Sequence, residues 1–228
     1  MSFDVDAWKP KTEIGKKVKV GEITDVDVVL NSDKPILEVE IVDMLLPTLE
    51  SELLLIGQSR GKFGGGQRRV FKQTQKKTKE GNKPSFATCA VAGDRKGHVG
   101  LGYGKSRETV PAREKAIRKA KINLIKIRRG CGSWQCSCKE PHSIPFEVEG
   151  KCGSVKVKLI PAPKGTGLSA GSEIAKILDL AGIKDIWSRT EGNTKARINL
   201  TKATMAALEE LMSKKVQTRY KEKLNIAE

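Results

Sequence analysis

Hydrophobic and polar positions fall into short periodic segments that predict two successive runs of strands and helices. Residues 70–78, 85–93 and 98–105 read as strands. A polar turn, Lys79-Glu80-Gly81-Asn82-Lys83-Pro84, separates the first two, and the tip Asp94-Arg95-Lys96-Gly97 separates the second from the third. The period then changes. A helix is predicted from about Thr109, with Pro111 in its first turn, where a missing N–H is tolerated. Its apolar stripe is Ala112, Ala116, Ile117, Ala120, Leu124 and Ile127, and its other faces are basic.

The second run begins with a hairpin, 144–149 and 154–160, across Gly150-Lys151-Cys152-Gly153. A helix over about 172–181 places Ile174, Ile177, Leu178 and Ala181 on one face, and Gly182 sits where a helix-ending glycine belongs. A strand at 186–188 follows. A last helix starts near Thr201 as N-cap and buries Met205, Leu208 and Met212. Ahead of both runs, residues 1–42 show β-like alternation, as in Ile36-Leu37-Glu38-Val39-Glu40-Ile41. A short apolar helix is expected between Val42 and Ile56, and then a flexible basic, glycine-rich loop over 60–69. The fold class is α+β. The expected layout is an extension (1–42), a three-stranded domain with helices (43–127), a cysteine-rich linker (128–143), a second α+β domain (144–212) and a basic tail (213–228). Helix, three strands and helix on a basic surface is the element order of a double-stranded-RNA-binding domain.

Charge sharpens this layout. The chain of 228 residues has a net charge of +16. Residues 1–56 hold 6 basic and 12 acidic side chains, residues 57–129 hold 21 and 4, and the remainder hold 16 and 11. A solvated surface mixes both signs; an excess of seventeen positive charges in the middle third points to a polyanion, with phosphate contacts concentrated there. No run of eighteen apolar residues exists, and the opening lacks the pattern of a signal peptide. Five cysteines do not form a secreted disulfide framework, so a cytoplasmic location is expected.

Enzymatic signatures are missing. Gly104-Lys105-Ser106 would need a glycine at position 99 to make a phosphate-binding loop, and Val99 stands there. The sequence has two histidines, no nucleophile elbow and no His-Glu-x-x-His. In the third strand, Val99, Leu101 and Tyr103 face one way and Gly100, Gly102 and Gly104 the other; the glycine face admits either RNA phosphate or a packed helix. The turn Pro161-Ala162-Pro163-Lys164-Gly165-Thr166-Gly167 can hold phosphate on its backbone amides or be a plain connection. Cys131-x4-Cys136-x-Cys138-x3-His142 packs four ligand types into twelve residues, with Cys152 as a spare. Such a loop suits one tetrahedral structural Zn ion; the alternative is a set of reduced, inert thiols.

Several stretches together resemble one family. Residues 90–105 (Ala-Val-Ala-Gly-Asp-Arg-Lys-Gly-His-Val-Gly-Leu-Gly-Tyr-Gly-Lys), the helix 112–121, the turn 161–167 and Leu180-Ala181-Gly182-Ile183 are similar to the universal small-subunit (30S) ribosomal protein five family. The acidic extension and the Arg128-Arg129-Gly130 linker resemble archaeal or eukaryotic members, and the cysteine loop resembles archaeal ones. Coverage is about residues 50–212. The resemblance implies a first domain like a double-stranded-RNA-binding domain and a second domain of the family's own type. It also implies a structural role in the small subunit beside 16S rRNA, small-subunit proteins four and eight and the mRNA path, with an influence on translational accuracy from the loop 76–83. Competing readings are a zinc-dependent RNA-processing enzyme and a free double-stranded-RNA-binding regulator. The residues expected to meet RNA are Arg60, Lys62, Arg68, Arg69, Lys72, Lys76, Lys77, Lys79, Lys83, Arg95, Lys96, His98, Lys105, Arg107, Arg113, Lys119, Arg128, Arg129 and Lys164.

Overall fold

The computed structural model describes residues 8–32, 34–58, 68–138 and 140–227. The extension is helical: α1 (Glu13–Val20), α2 (Val26–Leu30) and α3 (Val39–Leu45). The strand-like alternation at residues 36–41 therefore resolves into the start of α3, and the apolar helix expected after Val42 begins earlier and ends at Leu45. Period two was too short there to outweigh the burial of Val39, Ile41 and Val42; Ile41 and Val42 join Trp8, Val18, Val29 and Ile36 in a small core of the extension's own. Thr12 caps α1 by accepting from Gly15 N–H at 3.0 Å, and Glu38 gathers Trp8 Nε1–H and the amides of Lys11 and Thr12.

The first sheet holds β1 (Glu50–Leu53), β2 (Lys72–Thr78), β3 (Gly81–Gly93), β4 (His98–Ser106) and β5 (Leu124–Lys126). All its pairings are antiparallel; β1 and β2 both pair with the long β3, at opposite ends of it. α4 (Thr109–Ile122) crosses one face. Ala112, Ala116 and Ala120 are fully buried there, and Leu124 and Ile127 belong to β5 and its exit rather than to the helical stripe. The glycine face of β4 meets this helix: a Cβ on Gly100, Gly102 or Gly104 would stand 2.0–2.1 Å from the carbonyl oxygens of Ala120, Ala116 and Ala112. Of the two partners open to that face, the packed helix occupies it.

The second sheet runs β6 (Val148–Cys152), β7 (Val155–Pro161), β9 (Ile186–Glu191), β8 (Leu168–Ser169), with only β8–β9 parallel. Its hairpin turns at Gly153-Ser154, so the glycine at 150 lies within a strand. That glycine faces α6 (Arg197–Ser213), whose Ala203 carbonyl would lie 2.0 Å from a Cβ placed there. α6 starts four residues before the expected cap: Thr201 is interior and buried, donating to the Ile198 carbonyl. It buries Met205, Leu208 and Leu211, with Met212 only half-buried. α5 (Ser172–Leu180) ends at Gly182, φ +82°. α7 (Thr218–Lys223) lies in the tail.

One core joins the two sheets. Leu54, Ile56, Cys89, Val91 and Val99 of the first domain pack with Val157, Leu159, Ile174, Ile177, Leu178 and Ile186 of the second. The tip 94–97 is buttressed by α5: Arg95 N–H donates to Leu180 O at 2.9 Å, and a Cβ on Gly93 would collide with that same carbonyl. Buried Glu173 on α5 accepts from Leu55 N–H at 3.0 Å across the junction.

Candidate RNA surface and metal centre

The β2–β3 hairpin carries its cations on its two-residue turn and on the strand ends beside it. Register pairs Lys76 with Lys83 and Thr78 with Gly81, so the turn is Lys79-Glu80. Gly81 adopts φ +115° with open space around it, a conformation that favours glycine. Lys76, Lys77, Lys79 and Lys83 are all exposed. Arg69, Lys72, Lys105, Arg107, Arg113 and Lys119 are exposed as well, at the base of the hairpin, at the end of β4 and along α4; Arg68 is half-buried. Arg60 and Lys62 lie outside the described residues.

Other predicted contacts are already engaged within the chain. Exposed Arg95 pairs with Glu50 (3.0 Å) and Asp179 (3.6 Å), while Lys96 is exposed. His98 has both ring nitrogens against carboxylates, Nδ1 at 2.7 Å from Asp94 and Nε2 at 2.8 Å from Asp27. Arg128 donates to the carbonyls of Leu211 and Lys214. Arg129 donates to Arg95 O, and burial holds its pKa below the usual range. These residues tie the tip, the linker and α6 together. The acidic extension meets the same face through two further ion pairs, Asp27 with Lys126 at 2.8 Å and Asp43 with Lys121.

The turn 161–167 does not present free amides. Gly165 N–H and Gly167 N–H both donate to Asp185 Oδ1, at 3.0 and 2.8 Å, and exposed Lys164 pairs with Glu140 at 2.8 Å. The connection also leads into β8 before α5 begins, so no helix start faces it. A plain connection, closed on its own carboxylate, is what stands there.

Asp185 leads to the cysteine loop, because its Oδ2 stands 2.8 Å from His142 Nδ1. His142 Nε2 is then left toward Cys136 Sγ, 3.7 Å away. The ligand atoms of Cys131, Cys136, Cys138 and His142 all lie within 4.8 Å of one another. Tetrahedral ligands at zinc distances of about 2.0–2.3 Å stand about 3.6 Å apart, so this set can hold a metal ion. Charge argues the same way. The Cys136 thiol is lowered to about 6, chiefly by a hydrogen bond from Cys138, while burial pushes the Cys131 thiol up to about 12. Without a cation the cluster favours one thiolate and resists the next; a bound cation removes that resistance. The loop is fastened from the tail: Cys131 N–H donates to Leu224 O at 2.7 Å, and Asn225 Nδ2 to Cys138 O at 2.9 Å. Trp134, 89% exposed, stands out between the ligands. Sequence reasoning missed Asp185 and Asp27, which carry no motif; an aspartate announces a partner only once the fold supplies one.

The described residues form a basic α+β chain with two sheets and an exposed cationic hairpin. Residues 55–128 match the family model of the ribosomal protein S5 N-terminal domain, and residues 150–221 match that of its C-terminal domain. Among curated proteins, the chain is 50% identical over 214 residues to the small ribosomal subunit protein uS5 of Nanoarchaeum equitans, covering 94% of this chain and 92% of that one. It is 46% identical over 228 residues to that of Methanocaldococcus jannaschii, covering 100% and 98%. The chain belongs to the uS5 family of ribosomal proteins, in its archaeal form, and is not an enzyme. No helix among the described residues is long and apolar enough to cross a membrane.

Proposed function

We propose that this chain is a structural constituent of the small ribosomal subunit that binds 16S rRNA through residues 57–129 and acts in the cytoplasm within the ribosome. The observation that carries this reading is the exposed cationic hairpin at residues 76–83, held away from a core that spans both domains. Lysines on such a tip contact phosphates, position RNA and read little sequence. A contact made better in one conformation of the subunit than in another biases decoding by that difference, which is a route to translational accuracy. Small-subunit proteins four and eight and the mRNA path are the expected surroundings. Sedimentation of the native protein with 30S particles tests the assignment. Recovery as a free protein, or with RNA outside the small subunit, would overturn it.

Cys131, Cys136, Cys138 and His142 hold one structural Zn in this reading. With four protein ligands the site is closed, which suits fixing the linker between the domains rather than activating water. Reduced protein purified without added metal is expected to contain about one zinc per chain; metal-free, fully folded protein would exclude it.

A further inference from the structure

A cavity of about 430 Å³ opens where β2 and β3 pass the start of α4. That size lies within the range of about 300–1,000 Å³ that small-molecule sites span. Gln73 and Phe86 are direct cross-strand partners, and Phe71 precedes Gln73 by two positions, so the two rings and the carboxamide share one face. Both rings line the cavity and are only half-buried. Gln58 and Gln73 supply donors and acceptors at its walls.

A second groove, about 390 Å³, shares Gln58 and Lys72 with the first and runs between the domains to Lys195 and Arg197 of the second domain. Arg197 Nε is buried there without a hydrogen-bond partner. Exposed Lys195 and half-buried Arg197 make the wall of this groove cationic, which suits an anion seated in it. Aromatic faces beside a track of cations are what an unstacked base and its flanking phosphates require. An acidic peptide would answer the cations and leave the rings unused.

We propose that cavity and groove together receive one unstacked nucleotide of RNA. Its base lies against Phe71 and Phe86, and its phosphates lie along Lys72, Lys195 and Arg197. The hairpin tip then serves duplex backbone, and this site serves a bulged or single-stranded position beside it. The inference rests on the RNA-binding reading above.

The probe is an RNA duplex carrying a single bulged 2-aminopurine, compared with the flush duplex of the same sequence, against the full-length protein. The bulged duplex is expected to bind about five-fold or more tightly, as base–aromatic stacking allows, with 2-aminopurine fluorescence quenched on binding. Phe86→Leu and Phe71→Leu should each shrink that preference while leaving flush-duplex affinity unchanged. An abasic bulge should abolish it without any change to the protein, so the test survives a variant that fails to fold. Equal affinity for bulged and flush duplexes, or a preference that persists in both leucine variants or with the abasic bulge, overturns the site. Binding to neither duplex overturns the RNA-binding reading itself, and this site with it.

Discussion

His98 and Asp27 are separated by 71 positions in the chain, and the imidazole Nε2 of the one lies 2.8 Å from the carboxylate Oδ1 of the other. That bond fastens an acidic extension to a basic domain. Burial pulls the imidazole pKa down, but Asp94 and Asp27 outweigh it, so His98 titrates above its usual value. Burial pushes both carboxylates up; Lys126, His98 and backbone amides outweigh it, so both titrate below their usual range. The imidazole contribution is complete below the ordinary histidine pKa and is lost as pH rises through the elevated one. The carboxylate contribution is present above the ordinary aspartate range and is lost as pH falls through the depressed values. The junction is therefore firmest at weakly acidic pH. Lys126 keeps Asp27 engaged at higher pH, and Arg129 remains near Asp94. Asp27→Asn should cost most stability at about pH 6, near the unperturbed histidine pKa, and less in alkaline buffer, as read by urea unfolding across pH. A pH-independent cost would show that His98 does not gate the contact.

Gly102→Ala should destabilise the first domain by about 2–3 kcal/mol, because its Cβ would lie 2.0 Å from the Ala116 carbonyl and 2.2 Å from the Ala120 nitrogen. Gly171→Ala, with open space around it and no positive φ, should change stability by about 0.5 kcal/mol or less. Chemical denaturation of the two variants compares them directly; equal stabilities would mean that α4 can retreat from β4.

Asp185→Asn should lower metal affinity by about 10- to 100-fold, the usual effect of removing the group that orients a histidine ligand. Asp185→Ala should in addition loosen the turn 161–167, since Gly165 and Gly167 then lose the shared acceptor that asparagine would keep. Competition with a chelator reads the first effect and amide exchange at Gly165 and Gly167 the second. An unchanged metal affinity would separate Asp185 from the site.

Replacing Lys77 and Lys79 together by glutamate should alter misincorporation in a decoding reporter more than it alters small-subunit profiles. Both lysines are exposed at the tip, away from the core. Normal particles with unchanged misincorporation would leave the tip as an anchor only.

The sequence was most legible where one residue type could serve only one end. Gly100, Gly102 and Gly104 on one strand face already imply a close approach, with RNA phosphate and a packed helix as the two open partners, and the helix is the one found there. Gly182 announced the end of α5 because few other residues adopt its positive φ. Failures came where several outcomes share a pattern. Residues 36–41 alternate over too short a span to distinguish a strand from the first turn of α3. Thr201 resembles a cap but satisfies its hydroxyl inside α6. In the candidate site, the cluster of Cys131, Cys136, Cys138 and His142 was readable from spacing. The carboxylate 2.8 Å from His142 was not, because Asp185 reaches it only through tertiary structure.

The fastening of the cysteine loop by Leu224 and Asn225 sets an order of events in time. Asn225 holds Cys138 across 87 positions of chain, so the loop is synthesised long before the segment that closes over it. A nascent chain must carry its thiols unfastened until residues near 225 have emerged. A product that stops short of them lacks its latch, and would be the form most open to chelation, oxidation and removal.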